Sequence, residues 1–174
     1  MKRRGFTLIE LLVVVIIMGV LTAIAMPQYR RAIDRSKAAE AMQLLPAIFE
    51  ARERWMIEHL CEWTDSGNFT CADGSTASDL TWKKLDIEMK VSGGVSTTNR
   101  QKTDNFSYRL IDGNPTGKNQ PCVSAVPAWA ASRGLTGAKI YYRGDKFSCT
   151  EGTPSGGICD LLNVADSSHR TGCI

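Results

Sequence analysis

A single carboxylate, that of Glu10, stands near the start of a largely apolar run over residues 6–26. A charged group inside an apolar helix costs about 2.5–3.5 kcal/mol on insertion scales, so it needs a partner. The run itself supplies none. Cutting the chain after Gly5 would create one, because the amino group of Phe6 would then begin the chain and carry a positive charge. The first residues therefore indicate proteolysis followed by charge pairing.

The apolar run is long enough to cross a membrane. A helix over residues 6–26 reaches about 32 Å, close to the thickness of a bilayer's hydrocarbon core. Lys2, Arg3 and Arg4 precede it, which predicts that this end stays in the cytoplasm while the rest is exported. These three residues also account for the formal net charge of +3. A chain beginning at Phe6 is formally neutral, so its charge does not indicate nucleic-acid binding.

Three interpretations of this segment compete. Ala23-Ile24-Ala25 fits a secretory cleavage site, which would release a soluble protein, such as a secreted enzyme, beginning at Met26. A permanent anchor for a binding domain explains the length of the run but not Glu10. Cleavage after Gly5 explains both, because the apolar run then remains in the mature protein.

Residues 5–12, GFTLIELL, resemble the processing motif of type IV pilins and of their relatives, the type II secretion pseudopilins. The resemblance implies that a prepilin peptidase cuts between Gly5 and Phe6 and methylates the new amine of Phe6. It also implies that Glu10 neutralises this amine in a neighbouring subunit, with a pair inside one subunit as the competing possibility. The likeness is strong over residues 1–60 and only architectural beyond them.

This resemblance implies a structural subunit of a bacterial type IV pilus, used for adhesion, motility or DNA uptake. The precursor would lie in the inner membrane. An inner-membrane assembly platform and a cytoplasmic assembly ATPase would polymerise it into a helical homo-oligomer at the cell surface. A pseudopilin of a type II secretion system is the alternative. No catalytic constellation is evident in the sequence, so we expect neither enzymatic activity nor a cofactor.

We expect one long helix over about residues 6–60, apolar in its first half and amphipathic in its second. In related pilins a glycine and a proline bracket a stretch that unwinds in the filament, and Gly19 and Pro27 match those positions; a simple kink is the alternative. Pro46 predicts a bend. Glu50 and Arg54 are spaced for an ion pair on the helix surface. Apolar residues at helical spacing should face a head domain: Tyr29, Ile33, Met42, Leu45, Phe49, Met56 and Leu60.

The expected organisation is a leader over 1–5, a transmembrane or filament-core helix over 6–26, an amphipathic half over 27–60 and a disulfide-bonded head over 61–174. The predicted fold class is α+β, with the helix packed on an antiparallel sheet of about four strands, the pilin fold. Residues 61–79 and the tail from 150 look like loops. The predicted strands are 106–111, 122–126 with 128–130, 138–143 and 146–149.

Six cysteines follow the apolar run, an even number that predicts up to three disulfides in an exported domain. We expect Cys61–Cys71, Cys149–Cys159 and Cys122–Cys173; Cys122–Cys149 with Cys159–Cys173 is the alternative. Zinc is disfavoured because no two cysteines lie closer than ten residues.

Other candidate sites are weaker. The pair His59-x-Cys61 could bind a metal, although a disulfide is the better use of the cysteine. Oxygen-rich segments at 65–68 and 112–114 could hold calcium, but they fit turns better and match no full EF-hand spacing. Asn68 and Asn105 begin glycosylation sequons, which we discount in a bacterium.

Overall fold

The computed structural model describes residues 6–64, 69–96, 98–112, 122–129, 137–152, 157–162 and 164. The chain divides into two compact units, Met1–Ser36 and Lys37–Ile174. Helix α1 runs over Leu8–Glu58, 51 residues, and confirms the predicted long helix to within two residues at each end. Leu60, which follows α1, has a left-handed backbone with φ of 50° and ends the helical path.

Pro27 and Pro46 both lie inside α1, so neither proline ends the helix as a break would. A proline removes one backbone hydrogen bond and costs about 3 kcal/mol in a helix interior. In the second unit, packing along several turns of α1 offsets that cost, because residues from Ala38 to Met56 are buried at helical spacing.

The head contains a five-stranded antiparallel sheet in the order β3–β4–β5–β6–β7. The strands are β3 (Arg100–Lys102), β4 (Phe106–Asp112), β5 (Cys122–Pro127), β6 (Lys139–Tyr142) and β7 (Phe147–Thr150). The four predicted strands are confirmed, and β3 is an additional edge strand. The extension of the second strand is wrong at Ala128 and Trp129, which lie in a turn directly after Pro127, whose nitrogen cannot donate to a ladder; residue 130 lies outside the described residues.

One face of the sheet packs against α1 and forms the core of the second unit. The strand register places Tyr108 opposite Ala125, and Ala125 opposite Ile140, so their side chains share this face. From α1 the core receives Ala41, Leu45, Ile48, Ala51, Trp55 and Met56. The helix face was therefore only partly predicted, because Tyr29 and Leu60 are 66% and 70% exposed.

The segments expected to be loops contain further elements. Strands β1 (Cys61–Trp63) and β2 (Phe69–Cys71) form a two-stranded antiparallel sheet directly after α1. A 3-10 helix covers Trp82–Lys84, and a five-residue helix, α2, covers Ile158–Leu162. Glu151 accepts hydrogen bonds from the backbone nitrogens of Ile158 and Cys159 and so caps α2.

The disulfides Cys61–Cys71 and Cys149–Cys159 are confirmed. The first joins paired residues of β1 and β2, and the second ties α2 to β7. The alternative pairing of Cys149 with Cys122 is therefore wrong. Cys122 is also disulfide-bonded, and its expected partner Cys173 lies outside the described residues.

The turn between β6 and β7 packs closely against α1. Gly144 has φ of +84°, and a Cβ built on it would lie 2.9 Å from Cε1 of Phe49. The hydroxyl of Tyr142 donates a 2.7 Å hydrogen bond to the carbonyl of Gly144. Glycine is required here both by the backbone conformation and by the aromatic ring beneath it.

Arg52 is a fully buried arginine on α1, with 0% of its side chain exposed. Its Nη1 donates to the carbonyl oxygen of Leu110 at 3.2 Å, beside an irregularity in the register of β4 and β5. Its Nε and Nη2 donate to Glu53 at 3.1 and 2.8 Å, and its guanidinium lies 4.5 Å from the ring centre of Phe49. Burial lowers the pKa of Arg52 and the Glu53 carboxylate opposes that shift. The guanidinium thus links helix and sheet through hydrogen bonds and an aromatic contact.

Glu40 attaches the turn between β3 and β4 to α1. Its carboxylate accepts hydrogen bonds from Thr103 Oγ1 at 2.7 Å, Asn105 Nδ2 at 2.6 Å and the Tyr108 hydroxyl at 3.3 Å. Burial, and then the nearby Glu40 charge, raise the pKa of Tyr108 far above its ordinary value of 10. The side-chain amide nitrogen of Asn105, the first residue of a predicted sequon, is therefore hydrogen-bonded to α1.

We predict that Arg52→Ala lowers the free energy of unfolding of the head by about 2–4 kcal/mol, because it leaves a cavity and an unsatisfied carbonyl at Leu110. Denaturant titration followed by tryptophan fluorescence measures this, since all four tryptophans lie in the second unit. Arg54→Ala is the matched control. Arg54 pairs with Asp86 at 2.8 Å rather than with Glu50 as expected, and solvent screens that exposed pair. Equal losses in the two variants would contradict the structural role of Arg52.

A second prediction concerns alkaline pH. The folded pKa of Tyr108 lies above its unfolded value, so the stability it contributes is fully present below pH 10 and is lost as the pH rises above it. The loss approaches about 1.4 kcal/mol per pH unit. Tyr108→Phe should lower stability modestly at pH 7 and flatten the decline above pH 10. Parallel alkaline profiles for both proteins, measured by denaturant titration, would show that ionisation of Tyr108 is not coupled to folding.

Candidate functional site

The N-terminal part of α1 presents apolar side chains to its surroundings on all sides. Every residue from Phe6 to Met26 is exposed in the isolated chain, with Phe6 at 81%. Within the described ranges, α1 is the one helix long and apolar enough to cross a membrane. A helix that is apolar around its whole circumference is stable only inside a membrane or a protein assembly.

Glu10 lies in the first turn of α1 and is bound to Thr7. The Thr7 backbone nitrogen and Oγ1 donate to Glu10 Oε2 at 2.8 and 2.7 Å. In return, the backbone nitrogen of Glu10 approaches Thr7 Oγ1 at 3.4 Å. This reciprocal arrangement is a capping box, which satisfies the free N–H groups at the start of a helix.

The capping box uses only one oxygen of the Glu10 carboxylate. Both bonds from Thr7 end on Oε2, and no described residue donates a hydrogen bond to Oε1. The carboxylate is therefore oriented by its own chain while its second oxygen stays open to a charge outside that chain.

Gly5, Phe6 and Gly19 are further residues of this region that were predicted to have a role. Phe6 directly precedes the capping box, and Gly5 lies outside the described residues. Gly19 lies in the middle of the apolar stretch of α1, and a Cβ built on it meets no atom within 4 Å. Packing within this chain therefore does not require glycine there, although glycine weakens the helix locally.

The weaker candidates do not form a site among the described residues. The sulfur of Cys61 is bonded to Cys71, and Nδ1 of His59 lies 2.9 Å from the carbonyl of Trp55, so this pair offers no thiolate to a metal. The oxygen-rich segments 65–68 and 113–114, together with the sequon at Asn68, lie outside the described residues.

Sequence reasoning missed two features. The capping box has a direct sequence signal, because Thr7-x-x-Glu10 fits the Ser/Thr-x-x-Glu pattern. The burial of Arg52 has a signal in its position alone, because residue 52 lies at helical spacing from Phe49 and Met56; its charge ordinarily assigns it to the solvated face.

The N-terminal region of the chain shares its sequence with known proteins. Residues 1–26 match the family model described as a prokaryotic N-terminal methylation motif. The chain is 36% identical over 95 residues to a fimbrial protein of Neisseria meningitidis serogroup B, covering 55% of this chain and 54% of that protein. It is 40% identical over 86 residues to the type IV major fimbrial protein FimA of Dichelobacter nodosus, covering 44% and 55%.

A longer match joins the chain to prepilin peptidase-dependent protein D of Escherichia coli K12, 29% identical over 138 residues and covering 78% and 80% of the two chains. For the two fimbrial proteins, the match spans about half of their length. No solved structure matches the chain significantly.

The resemblance to type IV pilins and prepilin-like proteins is thereby confirmed. The chain carries the N-terminal methylation motif, and a long helix packed on an antiparallel sheet follows it, consistent with the pilin fold.

Proposed function

We propose that this chain is the structural subunit of a bacterial type IV pilus. The observation that carries the proposal is the methylation motif at the start of a helix whose first half is exposed and apolar. Prepilin peptidase cuts after Gly5 and methylates Phe6. Before assembly the subunit lies in the inner membrane, and assembly moves its helix from lipid into a bundle of identical helices.

Glu10 then selects the stagger between neighbouring subunits. Thr7 holds the carboxylate through Oε2, and the open Oε1 receives the charged amine of a neighbouring Phe6. A charge pair in a low-dielectric helix bundle is strong, and leaving one partner alone there costs several kcal/mol. Registers that leave the amine without a carboxylate are thereby disfavoured.

Gly19 and Pro27 give the helix a segment able to unwind in the filament. Pro27 removes a hydrogen bond, and Gly19 lowers helix propensity about two turns earlier in the chain. The helix of the isolated chain is continuous through both residues, so unwinding would accompany assembly.

Polymerisation of the subunit requires further partners. An inner-membrane platform and a cytoplasmic ATPase drive polymerisation, and the heads cover a surface filament for adhesion, motility or DNA uptake. The chain itself performs no catalysis. The alternative, a pseudopilin of type II secretion, shares the N-terminal motif and would not form fibres on the cell surface.

Intact-mass measurement of protein sheared from cells tests the processing step. We expect a chain that begins at Phe6 and carries about 14 Da extra for one methyl group. A chain beginning at Met26 would indicate an ordinary secretory signal, and a chain retaining residues 1–5 would indicate a plain anchor. Electron microscopy of cells with and without the gene separates pilus from pseudopilus.

Three substitutions separate the charge of Glu10 from its capping role. Glu10→Gln keeps an acceptor for Thr7 but removes the charge, whereas Glu10→Val removes both and Thr7→Val weakens only the cap. If charge pairing drives assembly, both Glu10 variants are cleaved normally yet form no filaments, while Thr7→Val still assembles. Pilus yield per cell by immunoblot of sheared material measures this. Normal filaments from Glu10→Gln would overturn the charge-pairing role.

A further inference from the structure

Tyr29, Arg30 and Arg31 form an exposed polar segment just beyond the apolar run, which we call the juxtamembrane belt. Tyr29 was expected to face the head but is 66% exposed, and both arginines are exposed as well. Neither arginine forms an ion pair with another described residue. Among the residues that the structure describes, the fold therefore assigns no partner to these two guanidinium groups and this phenol.

The depth of the belt along the helix matches the lipid headgroup layer. With residues 6–26 across the hydrocarbon core, Arg30 and Arg31 lie about 6–8 Å beyond its outer edge at 1.5 Å per residue. The headgroup region on each side of a bilayer is about 5–8 Å thick. The two guanidinium groups thus reach the depth of the lipid phosphates.

The belt covers more than one face of the helix. Consecutive residues point about 100° apart, so Tyr29, Arg30 and Arg31 cover more than half of the circumference. A single protein neighbour contacts one face of a helix, whereas lipids contact all of it. The distribution of these side chains fits a surrounding layer of headgroups better than one partner helix.

The side chains of the belt are of types that bind phosphate groups at a membrane surface. Arginine presents a planar set of donors that binds a phosphate through two parallel hydrogen bonds, and it is less strongly hydrated than lysine. Tyrosine places its ring at the membrane interface with its hydroxyl toward water.

We propose that the juxtamembrane belt binds the phosphodiester groups of phospholipids in the outer leaflet of the inner membrane. This holds the unassembled subunit at a fixed depth. The inference rests on the membrane-inserted state of the proposed function and not on filament formation.

Solid-state NMR of the full chain in vesicles of phosphatidylcholine and phosphatidylglycerol, in equal parts, tests this contact. Arginine is labelled with ¹⁵N, and lipid phosphorus close to a guanidinium group should dephase the signal of that group. The fraction of the guanidinium signal that is dephased therefore reports how many arginines lie at the headgroups. In the double variant R30Q/R31Q the dephased intensity should fall to about half, because two of the four arginines flanking the apolar run are removed and Arg3 and Arg4 remain.

The control is R54Q/R100Q, which removes two exposed arginines from the second unit and should leave the dephased intensity unchanged. Undiminished dephasing in R30Q/R31Q would overturn the proposal while leaving membrane insertion intact. Guanidinium contacts to carboxylates of a second copy, without contacts to phosphorus, would also overturn it and assign the belt to subunit pairing. Absence of dephasing in every variant, including the wild type, would overturn both the lipid contact and the inserted state.

Discussion

The contact between the second half of α1 and the inner face of the sheet is the interaction on which the rest of the structure depends. Small residues such as Ala41 and Ala51 let helix and strands approach closely, while Leu45 and Ile48 fill the space between them. Because this contact extends over several turns, the helix tolerates Pro46 within it. It also leaves the first half of the same helix free to remain apolar and uncovered.

Two polar side chains of α1, the buried Arg52 and the half-buried Glu40, define how helix and sheet meet. Arg52 donates to a strand carbonyl, and Glu40 accepts hydrogen bonds from two residues of the turn between β3 and β4 and from Tyr108 in β4. Apolar packing alone permits sliding, since hydrophobic attraction has no direction. Directional bonds from one helix to two places on the sheet make a single alignment preferable to its neighbours.

At the other end of α1, one side chain combines two tasks. The Glu10 carboxylate closes a capping box with Thr7 through one oxygen and leaves the other open. Capping limits the orientations of the carboxylate before any partner arrives, which reduces the conformational entropy lost when a charge pair forms.

Much of this architecture could be predicted from the sequence, and the failures have physical causes. The segment 106–111 alternates apolar and polar residues, so its strand was readily found, whereas Arg100–Lys102 is a strand whose inward residue is polar Gln101 and has no such pattern. Helical spacing places position 52 on the same face as Phe49 and Met56, but an arginine is ordinarily assigned to solvent, and the acceptor at Leu110 that permits its burial lies far away in the sequence. Tyr29 shows the opposite error: helical spacing placed it on the head, although it belongs to the stretch just beyond the apolar run. The capping box, in contrast, is encoded locally by the spacing Thr7-x-x-Glu10.

The turn at Gly144 has a consequence for how this protein can diverge. A side chain there would meet the ring of Phe49 and would adopt a backbone conformation unfavourable to it. This surface bend is therefore as constrained as a core position, although Gly144 itself is exposed. Changes in the surface sequence would therefore have to accumulate in other exposed segments, because position 144 accommodates no side chain.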